Sequence, residues 1–257
     1  MQKGEIKIEF SSALDNLFFQ YTHLSIGGKQ IPCPYWMNRL KAGVLGPFGG
    51  KGTPQQIVQA TLSAAQEEKI DLSKLSTEEI LKLMSKHHIG VDCSGFVYWM
   101  LDAFDREKGG NGIADDIFCP DPPLKPTRAN VATLASPQSV VPVDLKEVKV
   151  GDVLLLNKGR HIAIITRVFR EGEIIKKIEY AHSSSKTEIK GVHKATVQIN
   201  NPSLSLKEQK WEEKDKKGKS YSKTNFFGEK DGLYRLKSFL KFTSLPQEGQ
   251  PAEDQWK

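Results

Sequence analysis

A cysteine at the start of an apolar helical pattern is the residue with the clearest chemical potential. Cys93 follows Asp92, and apolar residues then recur at helical spacing as far as Phe104. Asp92 is a good helix N-cap because its carboxylate can accept from the free N–H groups that open a helix. A thiol in that first turn lies near the positive end of the helix dipole, which favours the thiolate, and the same N–H groups could hold an oxyanion. Taken alone, however, a cysteine in an apolar stretch is usually a small buried hydrophobe.

Two histidines could supply the base that such a thiol needs. Residues 161–170 and 173–182 have the pattern of two strands joined across Glu171-Gly172. If that dipeptide is a two-residue turn, His161 and His182 lie directly opposite each other, with Cβ atoms about 4.5–5.5 Å apart. One ring could then take the thiol proton while the other fixes its tautomer. A bulged loop would shift this register, and a histidine at a strand end is often only a surface residue.

The predicted elements that position these residues are mainly helices in the first half of the chain and mainly strands in the second half. Helix starts are predicted at Thr53-Pro54, where a cap precedes a proline, and at the capping box of residues 76–79. An alternating run at 6–10 predicts a strand, and 14–24 predicts a helix or a second strand. Further strands are predicted at 151–156, 192–199 and 233–242. Helices before strands indicate an α+β domain.

The remaining segments are predicted to be irregular. Residues 43–52 contain five glycines and form a loop, whereas 108–142 contains six prolines and has the length of a binding or lid loop. The Lys-, Glu- and Ser-rich segment 206–223 is interpreted as a solvated excursion. The tail after Pro246 has the composition of a disordered segment.

Composition limits the classes of function. A chain of 257 residues with 38% hydrophobic content predicts one large domain. Its net charge of +6 suits an acidic polymer such as nucleic acid or anionic cell wall, although a solvated surface explains it equally well. There is no basic motif interleaved with aromatics and no zinc-finger spacing, so no nucleic-acid partner is expected.

The cysteines and the hydropathy pattern carry further expectations. Three cysteines, Cys33, Cys93 and Cys119, cannot form a disulfide framework, and no Cys/His ligand spacing predicts a metal or cofactor.

No apolar run has the length of a membrane span. The first residues lack the apolar core of a signal peptide, so a cytoplasmic location is expected if the chain is complete, and the cell envelope or the exterior if a leader was removed. The oligomeric state is left open.

Four motifs together resemble the NlpC family of bacterial cell-wall cysteine endopeptidases. They are D-C-S-G-F at 92–96, G-D-V-L at 151–154, H-I-A-I at 161–164 and A-H-S-S at 181–184. The resemblance covers roughly residues 31–200. It implies a papain-like fold, in which the nucleophilic cysteine opens a helix packed on an antiparallel sheet that carries the histidines.

The resemblance also implies roles for six residues. Cys93 would be the nucleophile, His161 the base and His182 the orienting residue, while Tyr35, Asp92 and Ser94 would line the substrate and oxyanion site. The implied substrate is a peptidoglycan stem peptide or muropeptide, cut between D-γ-glutamate and the diamino acid. Neither a metal nor a cofactor is implied.

The chain departs from the family pattern in its spacing. Two predicted helices separate Tyr35 from Cys93 where the family usually has a short loop, and the hairpin joining the histidines is longer than is typical. The predicted organisation is an N-terminal extension at 1–30, a peptidase domain at 31–245 with insertions at about 43–88, 108–142 and 206–223, and a tail at 246–257.

Other functions fit parts of the same pattern. A peptidoglycan amidase or an acyltransferase could use the same Cys-His-His triad on a different bond. A non-catalytic module that binds cell wall or protein could retain the fold, although it would need none of the three residues. A redox-sensing thiol is disfavoured because neither Cys33 nor Cys119 lies near Cys93 in the sequence.

Overall fold

Most helical residues lie in the first half of the chain and most strand residues in the second half in the computed structural model, which describes residues 5–38 and 40–241. The helices are α1 (Ser12–Thr22), α2 (Pro54–Glu67), α3 (Thr77–Lys86), α4 (Cys93–Glu107), α5 (Val131–Leu134) and α6 (Tyr221–Asn225). The strands are β1 (Ile6–Phe10), β2 (Leu24–Ile26), β3 (Lys29–Ile31), β4 (Val140–Val143), β5 (Val153–Leu156), β6 (His161–Glu171), β7 (Ile174–Ser184), β8 (Gly191–Gln198), β9 (Lys210–Trp211) and β10 (Gly232–Leu236). The α+β class predicted from the sequence is confirmed.

One antiparallel sheet organises the second half of the chain. Its strand order is β4-β10-β5-β6-β7-β8-β9, and β1 adds to the distal half of β6, where Ile6 faces Glu171. The helix that begins at Cys93 packs against β6 and β7. Its inward residues, Phe96, Val97 and Met100, belong to the same hydrophobic cluster as the sheet residues. This packing holds the N-terminus of α4 next to the start of β6.

The helix starts confirm the cap residues that the sequence indicated. Thr53 accepts from the N–H of Gln56 and forms a capping box with it. Ser76 and Glu79 form the second capping box, at the start of α3. Such caps satisfy N–H groups that have no partner inside the helix, which is why these short patterns mark helix boundaries well.

Two segments that the sequence indicated as irregular are folded into the domain. The segment 206–223 is not a solvated excursion: Trp211 pairs in β9 and is 7% exposed, and Tyr221 is 1% exposed. The segment 108–142 contains α5 and the first part of β4, and it buries Ile113, Leu124 and Leu134. Both predictions gave too much weight to charge and proline content, because a few well-spaced apolar residues anchor each segment.

Element ends differ from the predictions in smaller ways. The predicted strand 233–242 ends at Leu236, and a 3-10 helix, Lys237–Lys241, follows it. Residues 12–22 form a helix, which resolves the alternative left open for 14–24.

The tail predicted to be disordered after Pro246 lies outside the described residues. Within 5–38 and 40–241, no helix has both the length and the apolarity needed to cross a bilayer.

Candidate active site

Cys93 is the first residue of α4, and Asp92 caps the helix as predicted. An Asp92 carboxylate oxygen accepts from the N–H of Gly95 at 2.7 Å. The Cys93 thiol lies against the backbone N–H of Ile162, the residue that follows His161 in β6. The side chain is almost enclosed, because Cys93 is only 8% exposed. Helix packing on the sheet therefore brings the thiol to the strand end that carries His161.

The environment of Cys93 favours a neutral thiol at rest. Burial, followed by the charge of the Asp92 carboxylate, raises the pKa of Cys93 to about 11. The N–H of Ile162, the Lys51 ammonium and the N–H of Ser94 act in the opposite direction. The Ser94 N–H in the first helical turn therefore favours the thiolate as expected, but removal of the thiol from water outweighs it.

This environment predicts how Cys93 reacts with iodoacetamide. The thiolate fraction should rise tenfold per pH unit from pH 7 to 10 without a plateau, because the pKa of the thiol is about 11 and only the thiolate reacts. Alkylation is measured at Cys93 by peptide mass spectrometry, with the half-buried Cys119 as the internal reference. Asp92→Asn should shift the profile to lower pH because it removes a nearby negative charge. A plateau below pH 8.5 would contradict a neutral resting thiol.

His161 and His182 contact each other as the sequence predicted, although not directly across the hairpin. His161 Nε2 lies 2.8 Å from His182 Nδ1. The register pairs Ile164 with Ala181, so the two histidines are offset by two residues on one face. The turn lies one residue later than predicted, since Glu171 pairs with Ile174, and two register irregularities follow. Diagonal neighbours on one face remain within reach of ring side chains.

Beyond His182 lie two buried residues that the sequence did not single out. His193 faces His182 directly across β7 and β8, and their Nε2 atoms are 2.9 Å apart. Glu213 Oε1 lies 2.9 Å from His182 Nε2 and 2.8 Å from His193 Nε2. The other Glu213 oxygen accepts a hydrogen bond from the Tyr180 hydroxyl. We call His182, His193 and Glu213 the His-His-Glu cluster.

The charges of this array follow from burial and from its mutual contacts. Burial, followed by the neighbouring His182, lowers the pKa of His161. The pKa of His182 is also lowered, since burial outweighs the attraction of Glu213. Burial alone would raise the pKa of Glu213, but the charge and hydrogen bond of His182 and the bonds from His193 and Tyr180 lower it. A neutral His161 can accept the thiol proton.

Lys51 binds the polar atoms of Asp92 and Ser94, the two residues that the family resemblance places in the substrate site. Its ammonium nitrogen lies 2.6 Å from both Asp92 carboxylate oxygens and 2.7 Å from Ser94 Oγ. Lys51 is 8% exposed, so this is a buried ion pair. Asp92 and Ser94 therefore lie beside Cys93 as predicted, but their polar atoms already have partners within the protein.

The glycine-rich loop at 43–52 brings Lys51 to this position. Gly50 has a φ of +82°, and a Cβ there would lie 2.5 Å from the Trp36 carbonyl oxygen. A Cβ on Gly95 would lie 2.2 Å from the Gly50 carbonyl oxygen. Both glycines are thus needed for the loop to lie directly on the first turn of α4. The glycines were visible in the sequence, but the residue that they position was not.

Two tyrosines flank the thiol. The backbone of Tyr35 bridges to Val91, two residues before Cys93, so the helices between them in sequence do not separate them in space. Burial, then the charges of Cys93 and Asp92, raises the pKa of Tyr35. The Tyr221 ring centroid lies 6.5 Å from that of His161, and burial followed by Glu213 raises the pKa of Tyr221. Tyr221 comes from the segment interpreted as solvated.

All six residues singled out in the sequence thus lie in one neighbourhood. In the described part of the chain, Cys93 Sγ makes no hydrogen bond to the His161 ring. The sulfur lies against the backbone N–H of Ile162, the residue after His161. Such bonds are often long before a substrate is bound. The residues missed were Lys51, His193, Glu213 and Tyr221. No protein-family model, curated protein or solved structure matches this chain.

Proposed function

We propose that this protein is a papain-like, NlpC-type thiol hydrolase that cuts an amide bond in peptidoglycan stem peptides. The observation that carries the proposal is the hydrogen-bonded array of His161, His182 and Glu213, which begins one residue before the Ile162 N–H that contacts the Cys93 thiol. With Cys93, this array combines a nucleophile, a neutral base and a buried support for that base, which is the arrangement that nucleophilic acyl transfer needs.

The hydrogen bonds define how the base would work. His161 Nε2 is engaged by His182 Nδ1, which leaves His161 Nδ1 for the thiol. If His161 Nε2 donates to His182, then Nδ1 carries the lone pair that accepts the Cys93 proton. His182 in turn donates from Nε2 to Glu213, which is ionised because its pKa is lowered. Each proton in the array then has an acceptor, and the imidazolium that forms is stabilised by Glu213.

Catalysis would proceed through an acyl-enzyme. The Cys93 thiol gives its proton to His161, and the thiolate adds to the substrate carbonyl. Free N–H groups of the first helical turn, including that of Cys93, hold the oxyanion. His161 then gives the proton to the leaving amine as the C–N bond breaks. A water molecule that passes a proton to His161 attacks the thioester, and breakage of the C–S bond regenerates the thiol.

The substrate class rests on the sequence motifs and on charge. The four NlpC-like motifs favour the bond between D-γ-glutamate and the diamino acid, and the net charge of +6 suits an anionic wall polymer. A substrate amine could bind Asp92 only if it displaced Lys51 from a buried ion pair. We therefore propose that the amine of the stem peptide is not held by Asp92.

Digestion of defined muropeptides tests this function. The protein is incubated with N-acetylmuramoyl tetrapeptides that contain either meso-diaminopimelate or lysine, and the products are identified by mass spectrometry. Release of a dipeptide that begins with the diamino acid is expected, and Cys93→Ala should release none. Release of the whole stem peptide from the sugar would instead indicate the amidase alternative.

The enclosed thiol gives the binding-module alternative one supporting observation. Cys93 is 8% exposed and has a raised pKa, as an inert buried thiol would. Binding of muropeptides with equal affinity by the wild type and Cys93→Ala, without turnover in either, would establish that alternative and overturn the hydrolase. The contact between His161 and His182 favours the hydrolase, because a binding surface has no use for it.

A further inference from the structure

Three metal-ligand atoms converge on one point behind the proposed catalytic pair. His182 Nε2, His193 Nε2 and Glu213 Oε1 are each 2.8–2.9 Å from the other two. The residues are 0%, 6% and 9% exposed. They come from β7, from β8 and from just after β9, so no spacing along the chain reveals them. Imidazole and carboxylate groups in this number form a common ligand set for Zn²⁺.

The hydrogen atoms available do not satisfy all three contacts. His193 Nδ1 lies 3.0 Å from the Gly191 carbonyl oxygen, which can only accept, so Nδ1 carries a proton. The Nε2 atom of a neutral His193 is then a lone pair that faces a carboxylate oxygen at 2.8 Å. Two acceptors at that distance require a cation between them. Either an additional proton or a metal ion can fill that place.

The outer contacts of the cluster favour a metal ion. Each of the three residues has its remaining polar atom fixed: His193 Nδ1 by Gly191, Glu213 Oε2 by Tyr180 and His182 Nδ1 by His161. Hydrogen bonds between the non-ligating atoms and neighbouring polar groups are the usual support of metal ligands. In this cluster the outer hydrogen bonds orient His182 Nε2, His193 Nε2 and Glu213 Oε1 toward one position.

A cavity lies beside two of the three residues. It has a volume of about 240 Å³, and His193 and Glu213 line it together with Thr187, Lys194 and Glu212. A water molecule in the cavity could complete a tetrahedral site as the fourth ligand. Around Zn²⁺ with bonds of about 2.0–2.1 Å, the ligand atoms would be about 3.3 Å apart, so each would move outward by a few tenths of an ångström.

We propose that His182, His193 and Glu213 form a Zn²⁺ site that is separate from Cys93. If the hydrolase function holds, the site also controls the thiol. Zn²⁺ on His182 Nε2 places the remaining proton of that ring on Nδ1, which then donates to His161 Nε2. A neutral His161 so engaged carries its proton on Nδ1 and has no lone pair for the thiol. Zn²⁺ therefore switches the base off.

Metal binding by Cys93→Ala tests the site without using activity. This background removes the thiol as an alternative ligand. Calorimetric titration with Zn²⁺ should give one equivalent bound, and Zn²⁺ should raise the melting temperature because it binds the folded chain. Glu213→Gln in the same background should weaken binding at least about 100-fold, since it removes a ligand rather than its support. Glu212→Gln, a change in the same cavity, is the matched control and should bind as before.

The outcomes separate this site from the proposed hydrolase. If Glu213→Gln fails to fold, His193→Gln replaces it in the comparison. Absence of stoichiometric binding by Cys93→Ala, or binding that survives loss of Glu213 or His193, overturns the site whatever muropeptide digestion shows. In the wild type, Zn²⁺ should lower kcat for muropeptide hydrolysis at least tenfold. Unchanged kcat at saturating Zn²⁺ would overturn the switch.

Discussion

His161→Ala is expected to lower kcat for stem-peptide hydrolysis by about 10³- to 10⁴-fold. The reason is the environment of the nucleophile. Because the pKa of Cys93 is about 11, only about one thiol in 10⁴ is ionised at pH 7 without a base. In the wild type His161 accepts the proton during attack, and the variant must rely on the small thiolate fraction. Steady-state kinetics on the muropeptide that the wild type cuts best would measure the loss.

Two readouts show that such a loss comes from the base and not from a distorted site. The kcat of His161→Ala should rise tenfold per pH unit between pH 7 and 10, because it depends on the ionised fraction of the thiol. The kcat of the wild type should not follow that ionisation, because His161 accepts the proton. Cys93→Ala and Cys93→Ala/His161→Ala should have the same residual rate, because residues that act as one unit are not additive. If His161→Ala keeps more than a tenth of the wild-type kcat, His161 is not the base.

The parts of the fold that local chemistry determines could be predicted from the sequence. The caps at Thr53, Ser76 and Asp92 fix helix starts through contacts within four residues. The placement of His161 and His182 on one face follows from the two-residue period of strands, which the register irregularities between them did not alter. Their exact pairing could not be predicted, because it depends on where the turn and the irregularities lie.

The residues that support the site escaped prediction because their roles depend on contacts between distant segments. Lys51 meets Asp92 across 41 residues, and Glu213 meets His182 across 31. In the sequence, Lys51 is one charge in a glycine-rich loop and Glu213 is one of many charges in a polar segment. Only burial distinguishes them from solvated neighbours, and burial is a property of the folded chain. The position of His193 was easier to predict than those of Lys51 and Glu213, since His193 lies in a predicted strand that follows the strand of His182.

Lys51→Met is expected to destabilise the protein by about 3–5 kcal/mol, because it leaves the buried Asp92 carboxylate without its counter-ion. Lys51 is 8% exposed and its ammonium lies 2.6 Å from both Asp92 oxygens. For a chain of this size the loss corresponds to a melting temperature lower by about 10 °C. Thermal unfolding followed by circular dichroism measures it. Lys74→Met, which removes an exposed partner of Asp71, is the control and should cause no measurable change.

The double variant Lys51→Met/Asp92→Asn distinguishes an unpaired charge from a lost packing contact. Asparagine still caps a helix, so the double variant should recover most of the stability that Lys51→Met loses. A double variant as unstable as Lys51→Met would show that the lysine stem, and not the charge, holds the loop on α4. The pair also tunes the nucleophile: Asp92 raises the pKa of Cys93 more than Lys51 lowers it. Loss of both charges should therefore leave Cys93 more readily alkylated than in the wild type, since the net effect of the ion pair adds to that of burial in keeping the resting thiol protonated.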